Sequence, residues 1–222
     1  MSSCCPVVEL RQYTLRHGQR DLLIELFDRE FIESQEAVGM ELIGQFRDLD
    51  RPERFVWMRG FPDMQRRREA LEAFYGGPVW KTHAAAANAT MVDVDDVLLL
   101  RPAAPSIGFE PQPPRPGHGT DVAAASFAVT IWSLTVPADP DVLMRTLLPA
   151  LAEATPPSLA TFVEEPSENT FPALPVRTGE HVVVSVQRVV DDNWPAPMEL
   201  NLALETPPVQ LRLAPTARSR LR

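Results

Sequence analysis

The sequence predicts an α+β fold in which two tandem ferredoxin-like βαββαβ units form an intramolecular version of a dimeric α/β barrel. Strand-like and helix-like patterns follow one another in the order β-α-β-β-α-β over residues 7–101. A proline-rich stretch follows, and a weaker version of the same order then resumes. Because the helices of each unit cover one face of its sheet, we expect the two uncovered apolar faces to close on one another.

The first unit, residues 1–103, contains four predicted strands and two predicted helices. Alternating apolar and polar residues predict the strands, and apolar residues three and four positions apart predict the helices. The strands are 7–15, 40–47, 54–61 and 96–101, and the helices are 19–38 and 63–89. Asp63 is the expected N-cap of the second helix, and Gly76-Gly77 divides that helix in two.

The second unit, residues 121–222, follows a predicted extended and poorly structured linker at residues 104–120, where prolines are frequent. Its predicted strands are 127–136, 158–165, 181–190 and 209–213, with one helix at 139–154. Pro195 and Pro197 fall where a second helix is due, so we expect that helix to be shortened or lost.

The acidic composition argues against a nucleic-acid partner. The formal net charge is -9 and the pI about 5.0, whereas binding to a phosphate backbone requires clustered Lys and Arg. The triplet Arg66-Arg67-Arg68 is interpreted as a solvated helix face, and the arginines at 218, 220 and 222 as a frayed tail. No apolar run approaches the length of a membrane span, so no membrane partner is expected.

The two cysteines, Cys4 and Cys5, are adjacent in the sequence. A vicinal pair does not link distant segments, and two thiols do not make a metal site. We interpret them as reduced thiols on a loose N-terminus. The lack of a disulfide framework then favours a reducing compartment, so the expected location is the cytoplasm.

Residues 7–103 resemble NIPSNAP domain proteins, in particular their bacterial members. The matching stretches are VVELRQYTLRHGQRDLLIELFDREFIESQEAVGM, IGQFRDLDRPERFVWMRGFPDM, AFYGGPVWKTHAAAANATM and DDVLLLRPA. The resemblance implies the dimeric α/β-barrel fold. That superfamily includes monooxygenases, isomerases, haem enzymes and binding proteins, so the fold does not decide the activity.

The alternation within the strands predicts which side chains enter the barrel. We expect Val8, Leu10, Val56 and Met58 to face the helices. The barrel interior would then receive Glu9, Arg11, Tyr13, Phe55, Trp57, Arg59 and Phe61, together with Gln45. Two interpretations stay open. Glu9 pairs with Arg11 or Arg59 and fixes the register of the two halves, or the arginines bind an anion, because a guanidinium matches both oxygens of a carboxylate.

A second pocket wall is predicted on the divided helix. Trp80, His83 and Ala87 share one helix face, and Tyr75 precedes the Gly-Gly joint, so Tyr75, Trp80 and His83 are expected to converge at a pocket mouth. His83 is the best acid–base candidate among the histidines. Alternatively, Trp80 is a core residue and His83 is half exposed.

These patterns predict a cofactor-independent enzyme that acts on a small carboxylated or oxygenated metabolite, with the second half covering the pocket. The expected catalytic residues are His83, Tyr13 and Arg59. The expected ligand-binding residues are Arg11, Gln45, Trp57, Tyr75 and Trp80, without a metal. The alternatives are a non-catalytic ligand-binding or protein-interaction scaffold and a haem barrel with His83 as axial ligand. The chain is expected to be a monomer with a pseudo-dimeric barrel or a homodimer.

Overall fold

A computed structural model describes residues 4–154, 156–199 and 202–222 and contains a closed antiparallel barrel. The strands are β1 (Val7–Leu15), β2 (Glu41–Asp48), β3 (Arg54–Phe61), β4 (Met91–Asp93), β5 (Val97–Pro102), β6 (Ser126–Ser133), β7 (Ser158–Glu164), β8 (Val182–Val189) and β9 (Val209–Pro215). All except the short β4 form a ring in the order β3-β2-β9-β6-β8-β7-β5-β1, which closes because β1 pairs with β3. The prediction of an intramolecular barrel is therefore confirmed.

The two halves of the chain contribute four strands each, in the same spatial order. In the first half the order is β5-β1-β3-β2, and in the second half it is β9-β6-β8-β7. The halves join where β2 pairs with β9 and β5 pairs with β7. Each sheet edge is thereby paired with the other half, which leaves neither half with an open edge.

The helices lie on the outside of the barrel. They are α1 (Arg20–Leu26), α2 (Ile32–Glu36), α3 (Met64–Gly76), α4 (Pro78–Thr90), α5 (Pro140–Val142) and α6 (Leu148–Glu153). Single π-helical segments, Phe27–Phe31 and Leu143–Leu147, join α1 to α2 and α5 to α6. The predicted N-cap is confirmed, because the carboxylate of Asp63 accepts a hydrogen bond from the Arg66 N–H at 2.7 Å.

The described residues between β8 and β9 form no helix, in line with the effect predicted for Pro195 and Pro197. Leu200 and Asn201, which belong to that predicted helical region, lie outside the described residues. Within the described ranges, no helix has both the length and the apolar character needed to cross a membrane.

The barrel interior is filled by buried apolar side chains from both halves. These include Val8, Leu10, Phe46, Val56, Met58, Leu98, Leu100, Phe127, Val129, Ile131, Phe162, Val184, Val186, Leu211 and Leu213. The predicted orientation of β1 and β3 is therefore wrong. Both faces of these strands are buried. The alternation of side chains therefore shows which residues share a face, but it does not show which face lies inside the barrel.

The opposite face, with Glu9, Arg11, Tyr13, Phe55, Trp57, Arg59 and Phe61, packs against the helices of the first half. Two hydrogen bonds illustrate this arrangement. Arg59 donates to Gln35 in α2 at 3.0 Å, and Arg67 in α3 donates to Glu9 at 2.6 Å. The charged groups therefore find their partners in the helix layer and not in the barrel.

The linker and the chain ends are more ordered than predicted. Residues 103–125 contain turns and bends but no helix or strand, and the Arg115 side chain is nearly buried and donates to the carbonyl of Leu42 at 2.6 Å. Arg218 is buried and donates to the carbonyl of Asp28 at 3.1 Å, so the prediction of a frayed tail is wrong. Cys5 is buried in the barrel core, so the N-terminus is not loose at this point. The carboxylates of Glu33 and Glu36 on α2 pair with Arg218 and Arg115, and Cys5 packs in the apolar barrel core.

Gly60 provides a test of the corrected strand orientation. A Cβ atom added at Gly60 would lie 2.4 Å from both the Cβ and the Sγ atom of Cys5. We therefore expect Gly60→Ala to lower the free energy of unfolding by roughly 1–3 kcal/mol, the usual cost of overpacking a core. Urea denaturation followed by circular dichroism measures this change.

The matched control is Gly76→Ala, in the last turn of α3, where an added Cβ would meet no described atom within 4 Å apart from its chain neighbours and the helix backbone. This substitution should leave stability unchanged or raise it by up to about 1 kcal/mol, because alanine is the better helix former. Equal effects of the two substitutions would contradict the inward position of Gly60.

Candidate functional site

On the helix-facing side of the sheet, one buried carboxylate accepts hydrogen bonds from three arginines. Glu9 accepts hydrogen bonds from Arg11 Nη1 at 2.7 Å, Arg59 Nε at 2.8 Å and Arg67 Nε at 2.6 Å. All four side chains are fully buried. The group of Glu9, Arg11, Arg59 and Arg67, called here the arginine cluster, has three positive charges and one negative charge. Its formal charge is therefore +2.

The local structure of three elements explains why these residues meet. Glu9 and Arg11 are two positions apart on β1 and share a face, and Arg59 lies directly opposite Glu9 in the antiparallel pair of β1 and β3. Arg67 precedes Ala70, Leu71 and Phe74 on the buried side of α3, the helix that covers this face. The arginine cluster thus ties both strands to α3.

The arginine cluster keeps the carboxylate ionised. Burial alone would raise the pKa of Glu9, but Arg59, Arg11 and Arg67 more than offset this effect and hold that pKa well below its usual range. Burial lowers the pKa of Arg67, and Glu9 opposes that change. For Arg11, burial acts to lower the pKa, but Tyr13 and Glu9 raise it above its usual value. Its guanidinium therefore stays charged.

Each guanidinium of the arginine cluster has one nitrogen whose N–H donors are unused among the described residues. The Nη2 atoms of Arg11, Arg59 and Arg67 are buried and have no hydrogen-bond partner in the part of the chain that the structure describes. Leaving a buried charged donor unpaired is costly, so water or an anionic group is expected to satisfy these atoms. The excess positive charge favours an anion.

A cavity of about 340 Å³ lies between the outer face of the sheet and the helices of the first half. Its walls are mainly aromatic and aliphatic, with a few polar side chains, which is the usual composition of a small-molecule site. It is lined by Tyr13, Leu23, Phe27, Phe31, Gln35, Trp57, Phe74, Tyr75, Trp80, Asn88, Met91, Val94, Phe171, Ala173 and Leu174.

Tyr13 and Trp57 connect the arginine cluster to the cavity. Arg11 Nε donates to the Tyr13 hydroxyl at 3.1 Å, and the Arg11 and Arg59 guanidinium carbons lie 5.5 Å and 5.0 Å from the centre of the Trp57 ring. Burial raises the pKa of Tyr13 although Arg11 opposes this change, so the phenol stays protonated. Its hydroxyl accepts from Arg11 and can donate its own proton to a ligand.

The structure brings only part of the predicted site together. Four of the eight predicted residues line the cavity, namely Tyr13, Trp57, Tyr75 and Trp80. The rings of Tyr75 and Trp80 are in edge contact, with centroids 4.8 Å apart. Arg11 and Arg59 lie behind the cavity wall, where both pair with Glu9. Glu9 therefore pairs with both Arg11 and Arg59, as the first interpretation expected. Both pairs lie within the first half, however, so they do not link the two halves.

The other two predicted residues, His83 and Gln45, do not line the cavity. His83 is half buried on α4 and its Nε2 lies 3.5 Å from a Glu30 carboxylate oxygen. Gln45 is buried elsewhere and accepts from Arg115 at 3.2 Å. Among the described residues, no group of three or more His, Cys, Asp or Glu side chains is placed to hold a metal ion.

Sequence reasoning missed two contributors to the site. Arg67 was interpreted as solvated with its neighbours, but its position on the apolar stripe of α3 was a usable signal for a buried partner. Phe171, from the second half, also lines the cavity and stacks on Tyr75 with ring centroids 5.8 Å apart and an interplanar angle of 22°. No local pattern in the sequence around Phe171 indicates this contact.

Glu9→Gln tests the energetic role of the arginine cluster. The substitution leaves three buried guanidinium groups without a carboxylate, so we expect a loss of roughly 3–5 kcal/mol in the free energy of unfolding at neutral pH. The control is Glu69→Gln, which removes an exposed pair with Arg66 and should change stability little. Equal losses in the two variants, measured by urea denaturation, would be incompatible with this role.

The same variant should change the acid sensitivity of the fold. Because the folded-state pKa of Glu9 is lowered, its contribution is fully present above the unfolded pKa of about 4.3 and is lost as the pH falls further. Thermal melts between about pH 7 and pH 3 should therefore show a shallower loss of stability in Glu9→Gln than in the wild-type chain. Parallel curves would contradict the lowered pKa.

Comparison with solved structures supports the barrel fold. The chain is similar to a proposed monooxygenase from Lactobacillus acidophilus, with 13% identity, a TM-score of 0.54 and coverage of 95% of this chain and 94% of the other. It is also similar to a proposed monooxygenase from Fusobacterium nucleatum, with 7% identity, a TM-score of 0.52 and coverage of 97% and 94%. At these identities the similarity establishes the fold alone.

A shorter solved structure matches about half of the chain. A NIPSNAP-like domain protein from Burkholderia xenovorans is 26% identical, with a TM-score of 0.42, and the match covers 49% of this chain and 90% of the other. Among curated proteins, none matches the chain in sequence. The NIPSNAP family model matches residues 8–106, the segment that contains the arginine cluster and most of the cavity wall. Residues 8–106 of the chain are thus similar to NIPSNAP domains.

Proposed function

We propose that the protein is a cofactor-independent enzyme that acts on a small carboxylated or oxygenated metabolite in the cavity of its NIPSNAP domain. One observation carries the proposal: a largely aromatic cavity of about 340 Å³ is lined by Tyr13, whose hydroxyl accepts a hydrogen bond from Arg11 of a buried cluster of formal charge +2. The aromatic walls suit a planar or apolar ligand body, and the phenol suits an oxygen atom on that body.

The chemistry that this arrangement supports is the stabilisation of negative charge on a ligand oxygen. A ligand oxygen that accepts a hydrogen bond from the Tyr13 hydroxyl would be linked through that hydroxyl to Arg11, in largely apolar surroundings. Fixed donors in such surroundings stabilise a developing oxyanion more strongly than water does. In this proposal Tyr13 contacts the ligand, and the arginine cluster acts through it.

The cavity limits the possible proton acceptors. In the part of the chain that the structure describes, its only titratable lining residues are Tyr13 and Tyr75. A substrate that already carries an anion, or that loses an acidic proton readily beside positive charge, suits this lining best. Because two proteins of similar fold are proposed monooxygenases, consumption of dissolved oxygen is the turnover assay to run first.

We also propose that the two halves are tandem ferredoxin-like units and that only the first retains a site. The shared strand order supports this relationship. In the second half, the corresponding layer between sheet and helices is packed by Trp132, Leu147 and Leu151, and the Trp132 indole N–H donates to the Met198 carbonyl at 3.1 Å. Since the chain closes its own barrel, we propose a monomer, which light scattering can test.

The filled barrel interior favours a second candidate, a ligand-binding protein without turnover. In that case the barrel is a structural core and the cavity only holds its ligand. Saturable binding without conversion of any bound substrate would support this candidate. A haem barrel is disfavoured, because His83, its proposed axial ligand, does not line this cavity.

Binding of naphthoate, a planar aromatic carboxylate, tests the proposed function. We expect saturable quenching of tryptophan fluorescence in the wild-type chain and roughly tenfold weaker binding in Tyr13→Phe, because one hydrogen bond to a charged group is lost. The control is His83→Ala, which should bind as the wild-type chain does. A wild-type chain without saturable binding would contradict the proposal, and so would a Tyr13→Phe variant of unchanged affinity.

A further inference from the structure

The segment between β7 and β8, residues 165–181, reaches from the second half onto the cavity of the first. Phe171, Ala173 and Leu174 line that cavity, although they belong to the half that lacks the NIPSNAP match. Leu174 is buried, while Phe171 is only partly buried and Ala173 is exposed. This gradient of exposure places Phe171 at the cavity mouth, between the solvent and the buried wall.

A turn centred on Asn169 holds Phe171 in place. The side-chain oxygen of Asn169 accepts the Phe171 N–H at 3.1 Å, and its side-chain nitrogen donates to the Leu174 carbonyl at 2.9 Å. One side chain therefore sets the path of the whole turn, which is the usual behaviour of asparagine in such turns.

Three hydrogen bonds fix the turn to α3. Arg67 Nη1 donates to Asn169 at 3.0 Å and to the Thr170 hydroxyl at 3.3 Å, and that hydroxyl donates to the Met64 carbonyl at 3.2 Å. Arg67 also binds Glu9, so the turn is connected directly to the arginine cluster. The position of the turn is thereby coupled to the most buried part of the site.

The Phe171 ring closes one side of the cavity. It stacks nearly parallel on Tyr75, with ring centroids 5.8 Å apart, and Tyr75 in turn contacts Trp80. A ligand whose body exceeds the cavity must displace this ring or be excluded, because a stacked aromatic pair cannot be compressed.

We propose that Phe171 is a specificity-determining residue, which sets the upper size of the ligand in the first-half cavity from a position in the second half. The inference rests on the proposed function and deepens it: the ligand class is a compact aromatic or alicyclic carboxylate whose ring system ends at Phe171. The second half thus contributes selection by size, and the first half contributes the charged groups.

Two anionic probes of different length test this proposal in the full chain. Naphthoate is compact, and anilinonaphthalene sulfonate carries an additional ring. We expect Phe171→Ala to tighten binding of the longer probe roughly tenfold while naphthoate affinity changes by less than about threefold. Displacement of the longer probe by naphthoate shows that both occupy the same cavity.

The matched control is Pro172→Ala, in the same turn, where the exposed side chain does not line this cavity. It should leave both affinities unchanged. Asn169→Ala is a second variant, which keeps the ring but releases the turn, and it should shift the ratio of the two affinities in the same direction as Phe171→Ala.

The outcomes separate the inference from the proposed function. If the wild-type chain binds naphthoate and neither Phe171→Ala nor Asn169→Ala changes the affinity ratio, the size-selection role is wrong and the ligand site stands. If the wild-type chain binds no naphthoate, the proposed function is wrong and the inference falls with it.

Discussion

The ionised carboxylate of Glu9 is the constraint on which the structure depends. It holds arginines from β1, β3 and α3, and Arg67 extends the connection to Asn169 in the second half. A buried charge is unfavourable unless it is paired, so any packing of these elements that left Glu9 unpaired would be strongly destabilised. The excess of positive over negative charge leaves donors that a purely structural ion pair would not need.

This constraint explains why the site lies outside the barrel. The barrel interior contains a cluster of buried apolar side chains from both halves, so it serves as the core that joins them. The helix layer of the first half holds the charge, the cavity and the aromatic rings. The two halves differ in this respect. The second half has a helix layer packed with apolar side chains, and it contributes Phe171 to the cavity of the first half.

Much of the fold could be predicted from the sequence, because local patterns determine local structure. The alternation in residues 54–61, the N-cap at Asp63 and the effect of Pro195 and Pro197 all act over a few residues. The orientation of the strands could not be predicted in the same way. Both faces of β1 and β3 are buried, and the partner that decides between the faces, Arg67, is 58 residues from Glu9 in the chain.

Only part of the candidate site could be predicted, because residue type alone does not show which side chains meet in space. Tyr13, Trp57, Tyr75 and Trp80 were selected as chemically capable side chains, and they do line one cavity, although on the other side of the sheet. His83 was selected by residue type alone, and its place on α4 directs it towards Glu30. An arginine on the apolar stripe of a helix is the more general signal, because it requires an anion on the surface that the helix covers.

The central claim is that the ligand site lies in the helix layer beside the arginine cluster and that the barrel interior is filled. The most direct test is a crystal structure of the chain soaked with para-bromobenzoate, in which anomalous scattering locates the bromine atom. We expect the bromine peak among Trp57, Tyr75 and Trp80, with the carboxylate towards Tyr13. A peak inside the barrel, or a cavity without bromine at saturating probe, would contradict the account.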